Sequence, residues 1–121
     1  MKIVIQNGVA HGFTRKQVES MVNLFPPAWD THIQSIALYQ GDNAEPVFKY
    51  FPKERILGVF WPVLSEPHPS LAAAAKELLI AFSVVAERGS LPQRVSKSAR
   101  ARAEEQVNLI LPSCVALLEC D

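Results

Sequence analysis

"AAAAKELLIAFSVVAERGSLPQR", residues 72–94, is the stretch on which the fold turns. Leu71, Ala75, Leu78, Leu79, Phe82, Val85 and Ala86 recur at helical spacing, so the pattern predicts a central helix with one wide apolar face. Ser70 stands where an N-cap oxygen is needed, and Gly89 stands where a left-handed C-cap is wanted. Glu77 is an acid at the centre of this helix, with Lys76 beside it on the polar edge.

On the N-terminal side of this helix, Lys2 to Gln6 alternates and is rich in β-branched residues, which reads as a strand closed by an Asn7-Gly8 turn. Thr14 and Gln17 have capping-box spacing, and Phe13 and Val18 occupy the positions of a hydrophobic staple. The helix they open packs by Val18, Met21, Val22 and Phe25 and ends at Pro26-Pro27, which cannot continue the hydrogen-bond ladder. Three short strands follow, "IQSIALY", "VFKYF" and "RILGVFW", and their order predicts a meander. The run Ile56, Leu57, Val59, Phe60, Trp61 is apolar on both faces and suits an inner strand. Gly58 within it marks a bulge or a close backbone approach, with the bulge preferred. Beyond the central helix, Ala103, Val107, Ile110, Leu111, Cys114, Leu117 and Leu118 form the stripe of a last helix, and Pro112 predicts a kink or break near Leu111. The elements imply a single α+β domain over residues 1–121, a mixed, mostly antiparallel sheet of about four short strands packed against three helices.

Composition narrows function by exclusion. Apolar residues make up 49% and charged residues 20%, and 121 residues suffice for one globular core. Twelve basic and twelve acidic side chains cancel, so no global field draws the chain to nucleic acid or an anionic membrane. Nothing in the first residues resembles a secretory signal, and the apolar run from Leu78 to Ala86 is too short to span a bilayer, so a cytoplasmic protein is expected. Cys114 and Cys120 have a spacing that separates them around a helix, which favours free thiols over a disulfide. His11, His32 and His68 fall in separate loops or edges without metal-ligand spacing, and His68 is more than about 10 Å from Glu77 along the helix axis. Ser90 follows Gly89 in a helix-ending turn and belongs to no nucleophile motif.

Two local features point to partners. Arg94, Lys97, Arg100 and Arg102 crowd the start of the last helix, where cations oppose the helix dipole. A phosphate or acidic segment could bind there, or Glu104 and Glu105 one turn on could neutralise the cluster; nucleic acid is disfavoured because aromatic side chains for base stacking are missing. Tyr50, Phe51, Phe60 and Trp61 lie on two adjoining short strands, more aromatic surface than one small sheet face usually buries. An outward-facing share of them would suit a protein partner or a homo-oligomer.

The order of elements, with "KELLI" in the central helix, then "GSLPQR" and a further helix bearing Glu104 and Glu105, resembles the minimal zincin-type metallopeptidase fold. That resemblance implies a helix carrying H-E-x-x-H and a third ligand, commonly Glu, on the next helix, with zinc held between them. Lys76 and Ile80 stand at the histidine positions, with Glu77 between them. An ammonium group is repelled by a divalent cation and an aliphatic side chain has no lone pair, so two of three protein ligands are missing. No metal and no cofactor are therefore expected. Glu77 is then either a helix-edge carboxylate, paired with Lys76 or a neighbouring helix, or a residual general base. The reading that results is a degenerate, non-catalytic zincin-like domain that acts through protein–protein contact. Two alternatives stand beside it: a hydrolase with unusual ligands or one relying on Glu77, and an anion-binding module at residues 94–102.

Overall fold

A computed structural model describes residues 1–5, 12–41, 45–62 and 70–119. Its elements run β1 (Lys2–Ile5), α1 (Arg15–Val22), a 3-10 turn (Pro27–Asp30), β2 (Ser35–Gly41), β3 (Val47–Phe51), β4 (Ile56–Pro62), α2 (Leu71–Arg88) and α3 (Lys97–Glu119). Four strands and three helices in one small α+β unit match the expected class. The Asn7-Gly8 turn, His11, His68 and Cys120 lie outside the described residues.

The sheet is mixed, in the order β1-β2-β4-β3. Its balance differs from the expectation of a mostly antiparallel sheet: β1 with β2 and β2 with β4 are parallel, and the β3–β4 ladder is antiparallel. The expected meander is absent because β4 inserts between β2 and β3. Burial explains why. The first four residues of β2 are all buried and β4 is buried along most of its length, as central strands covered on both faces require. β3 carries the charged Lys49 at its middle and is half-exposed throughout, which suits an edge. Consecutive strands pair by default, and here that default loses to burial.

Register assigns the faces. Ile3, Ile36, Leu57 and Tyr50 form one cross-strand row, and Ile5, Leu38, Val59 and Phe48 form the next. Ile3, Ile36, Leu38, Leu57 and Val59 belong to a single core with residues of all three helices, and Ile5, Phe48 and Tyr50 pack partly buried against it. The helices therefore cover this face, and the opposite face carries Val4, Tyr39, Lys49, Phe51 and Phe60, none of which joins that core. Gly58 interrupts no pairing in either of its ladders, so the preferred bulge is not there. It provides the close approach instead: a Cβ at this position would sit 3.0 Å from Phe60 Cε2, 3.2 Å from Phe51 Cε2 and 3.4 Å from Tyr39 Cε2. Three aromatic side chains lean over a backbone that must stay bare.

Helix boundaries follow local chemistry. The Thr14 hydroxyl accepts from the Gln17 amide at 3.1 Å while the Gln17 side chain accepts from the Thr14 amide at 2.9 Å, completing the capping box. α1 ends at Val22, ahead of the prolines, and Pro27 opens the 3-10 turn rather than stopping the helix. Trp29 from that turn stacks on Phe82 of α2 with ring centroids 5.8 Å apart, and Phe25 packs against both. Ser70 caps α2, accepting from the Ala73 amide at 3.3 Å, and Gly89 takes φ 70° at its end. α3 continues through Pro112, so of the kink or break expected near Leu111 the break is absent. Pro112 and Asn108 are both exposed, so water can satisfy the Asn108 carbonyl that loses its ladder donor. The predicted stripe of α3 holds: Ala103, Val107, Cys114 and Leu118 are buried, and Ile110, Leu111 and Leu117 pack partly buried against the core.

Candidate functional site

The residues singled out on the central helix meet the first turns of α3. Ser96 starts that helix, its hydroxyl accepting from the Ala99 amide at 3.2 Å, and this places Arg100 opposite Glu77. Arg100 grips Glu77 with a two-pronged fork, Nη2 donating to Oε1 at 2.6 Å and Nη1 to Oε2 at 3.0 Å. Its Nε donates to Glu104 Oε1 at 3.2 Å, and Lys76 Nζ lies 4.0 Å from the same oxygen. Lys76, Glu77, Arg100 and Glu104 thus form one charge-balanced cluster. The hydrogen bond to Glu77, opposed by partial desolvation and aided by the charges of Glu77 and Glu104, raises the Arg100 pKa above its already high ordinary value.

This geometry settles where each candidate stands. Glu77, Lys76 and Glu104 come together, whereas Glu105 is exposed on α3 outside the cluster. Ile80 is buried at 2% relative exposure and offers carbon alone. Arg102 pairs with Glu87 at 3.0 Å. Arg94 and Lys97 are exposed, and no carboxylate among the described residues lies within 4.0 Å of either. Arg100 is the residue whose role the sequence reading missed. Its pairing with Glu104 belongs to one of the two readings of the basic turn, whereas its fork on Glu77 depends on the crossing of α2 and α3.

Zinc, which the resemblance implies, does not fit these side chains. Both Glu77 oxygens are taken by a guanidinium, the ammonium of Lys76 stands beside them, and Ile80 has no donor atom. Among the described residues no three His, Cys, Asp or Glu side chains gather as a metal site requires. For Glu77 to accept a proton as a general base, the fork would first have to open. His32 serves packing: its ring borders Gly89, 3.4 Å from where a Cβ would stand, and its carbonyl accepts from the Tyr50 hydroxyl. Burial pushes the Cys114 thiol above its ordinary pKa, which makes it a poor nucleophile.

Beside the charge cluster lies an open cleft of about 320 Å³. Val47 and Phe48 of β3, Ile80 of α2, and Leu91 and Val95 from the α2–α3 connection line it, with Glu77 and Arg100 in its wall. The cleft is mixed, with Gln93 and the Glu77–Arg100 salt bridge set among its aliphatic and aromatic side chains, and it borders the edge strand. The aromatic candidates divide between the two faces. Trp61 is buried on the core face, edge-on to Phe13 at 5.4 Å, and a Cβ on Gly12 would fall 2.1 Å from its ring. Tyr50 also points coreward, so neither offers itself to a partner, contrary to expectation. Phe60 remains on the outer face with Tyr39 at 5.0 Å and Lys49 Nζ at 5.5 Å from its ring. No helix among the described residues is long and apolar enough to cross a membrane. Comparison of the chain with protein-family models, with curated proteins and with solved structures finds no match.

Proposed function

We propose that this chain is a non-catalytic, zincin-like cytoplasmic domain that works by binding another protein. The observation that carries the reading is the fork of Arg100 on both oxygens of Glu77. In the zincin arrangement the corresponding acid faces a metal-bound water, and here it faces a guanidinium. Lys76 and Ile80 at the flanking positions support the same conclusion, because neither can replace an imidazole. The mixed cleft beside an edge strand whose outer side meets no strand among the described residues supports a binding surface that needs no reacting group.

A hydrolysis assay tests the reading. Purified wild type and Glu77→Gln are incubated with a mixture of unstructured peptides, with and without added zinc, and new termini are counted by mass spectrometry. The expected result is the same background for both proteins in both conditions. Cleavage by wild type that disappears in Glu77→Gln would make this chain an enzyme and end the proposal.

A further inference from the structure

We propose that β3 docks an extended strand of a partner protein that carries a carboxylate opposite Lys49 and aliphatic side chains toward the cleft. The inference rests on the reading of the chain as a protein-binding domain and names the partner's chemistry. β3 has β4 on one side and, among the described residues, no strand on the other. In an antiparallel ladder every second residue turns its N–H and C=O away from its neighbour, so β3 presents a row of backbone groups to an incoming strand. Main-chain pairing supplies affinity in this mode and alternate side chains supply selectivity.

The two faces of β3 ask for different side chains. On the helix side, Phe48 opens onto the cleft with Ile80, Leu91 and Val95, and a paired strand would send every second side chain there. Aliphatic groups fit the part of the wall formed by Phe48, Ile80, Leu91 and Val95, away from Gln93 and the Glu77–Arg100 pair. On the outer side stand Lys49 and Phe51, both exposed. Lys49 rests over the Phe60 ring, and among the described residues no carboxylate lies within 4.0 Å of its ammonium. An acid directly across the ladder would meet this unanswered charge, while a second copy of β3 paired about its centre would set Lys49 against Lys49. The lysine therefore discourages self-pairing and selects a partner of opposite charge.

The probe is a short fluorescein-labelled peptide alternating valine and threonine, with glutamate replacing the central threonine, compared with its lysine-centred twin. Anisotropy titrations should show the glutamate peptide binding wild type on the order of fivefold more tightly than the lysine peptide. The preference should reverse in Lys49→Glu, whose site is exposed and tolerates the change. Backbone amide resonances of residues 47–51 should shift on binding. Equal affinities with those shifts would overturn the charge selection while leaving a protein-binding edge in place. No shift in residues 47–51 with either peptide would overturn docking at β3 altogether. A wild-type dimer in sedimentation velocity that Lys49→Glu abolishes would give the edge to a second copy and overturn the proposal equally. None of these outcomes depends on whether peptides are cleaved, so failure here is separable from failure of the non-catalytic reading.

Discussion

Single residues fix this structure where side chains are forbidden as well as where they are required. Gly89 closes α2 at φ 70°, a region that costs other residues about 1 kcal/mol. Gly89→Ala should lower the unfolding free energy in urea by about that amount, and an unchanged midpoint would show that the cap is not strained by a side chain. Gly12→Ala should cost more, about 1–3 kcal/mol, because its Cβ would enter the Trp61 ring, itself held at 6% exposure. The sequence announced Gly89 through its position after an apolar helix, but Gly12 had no such signal because its constraint comes from a ring forty-nine positions away. Cys114 makes a pH-dependent case. Its raised pKa means that the folded chain keeps a proton that the unfolded chain surrenders above roughly pH 8.5. The protonated thiol's contribution is complete below that pH and declines as pH rises toward the folded value. The stability advantage of wild type over Cys114→Ala should therefore shrink between about pH 7 and pH 10, and a constant difference would contradict the burial argument.

At the level of elements, the α2–α3 contact combines an apolar seam with a charged margin. Ser83, buried on α2, donates to Gln106 of α3 at 3.0 Å, and the Glu77–Arg100 fork lies further along the same pair of helices. Both members of the fork are more than a third exposed, so solvent screens them and their mutual stabilisation should be modest. A double-mutant cycle over Glu77→Gln and Arg100→Gln should give a coupling of about 0.5–1 kcal/mol at low salt that weakens in 1 M salt, about ten times the usual ionic strength. A coupling of zero would mean that the fork does not persist in solution. Helix faces were legible in the sequence because period and caps are local: the stripes of α1, α2 and α3 recur in the core nearly residue for residue. Strand neighbours were legible only in part: the run of ILGVFW that is apolar on both faces marked an inner strand, but the order of the chain still suggested a meander. The charge of Lys49 at the middle of VFKYF was a second clue, to the edge position of β3.

For the molecule as a whole, a sheet whose described helices lie over one face leaves an edge strand, a mixed cleft and a neutralised acid close together. The class of fold could be read from the order of elements, and the parallel pairing at its centre could not, because parallel register is set by long-range contacts. The candidate site was half visible. Lys76, Glu77 and Glu104 were singled out by position along the chain, whereas Arg100, which determines what Glu77 can do, required the crossing of α2 and α3 to be known. The central claim is that the Glu77 carboxylate is committed to a guanidinium and the site holds no metal. Zinc titration by isothermal calorimetry on wild type and on Glu77→Gln addresses it most directly. The account predicts no saturable binding in either protein; one zinc per wild-type chain, bound in the micromolar range or tighter and lost in Glu77→Gln, would contradict it.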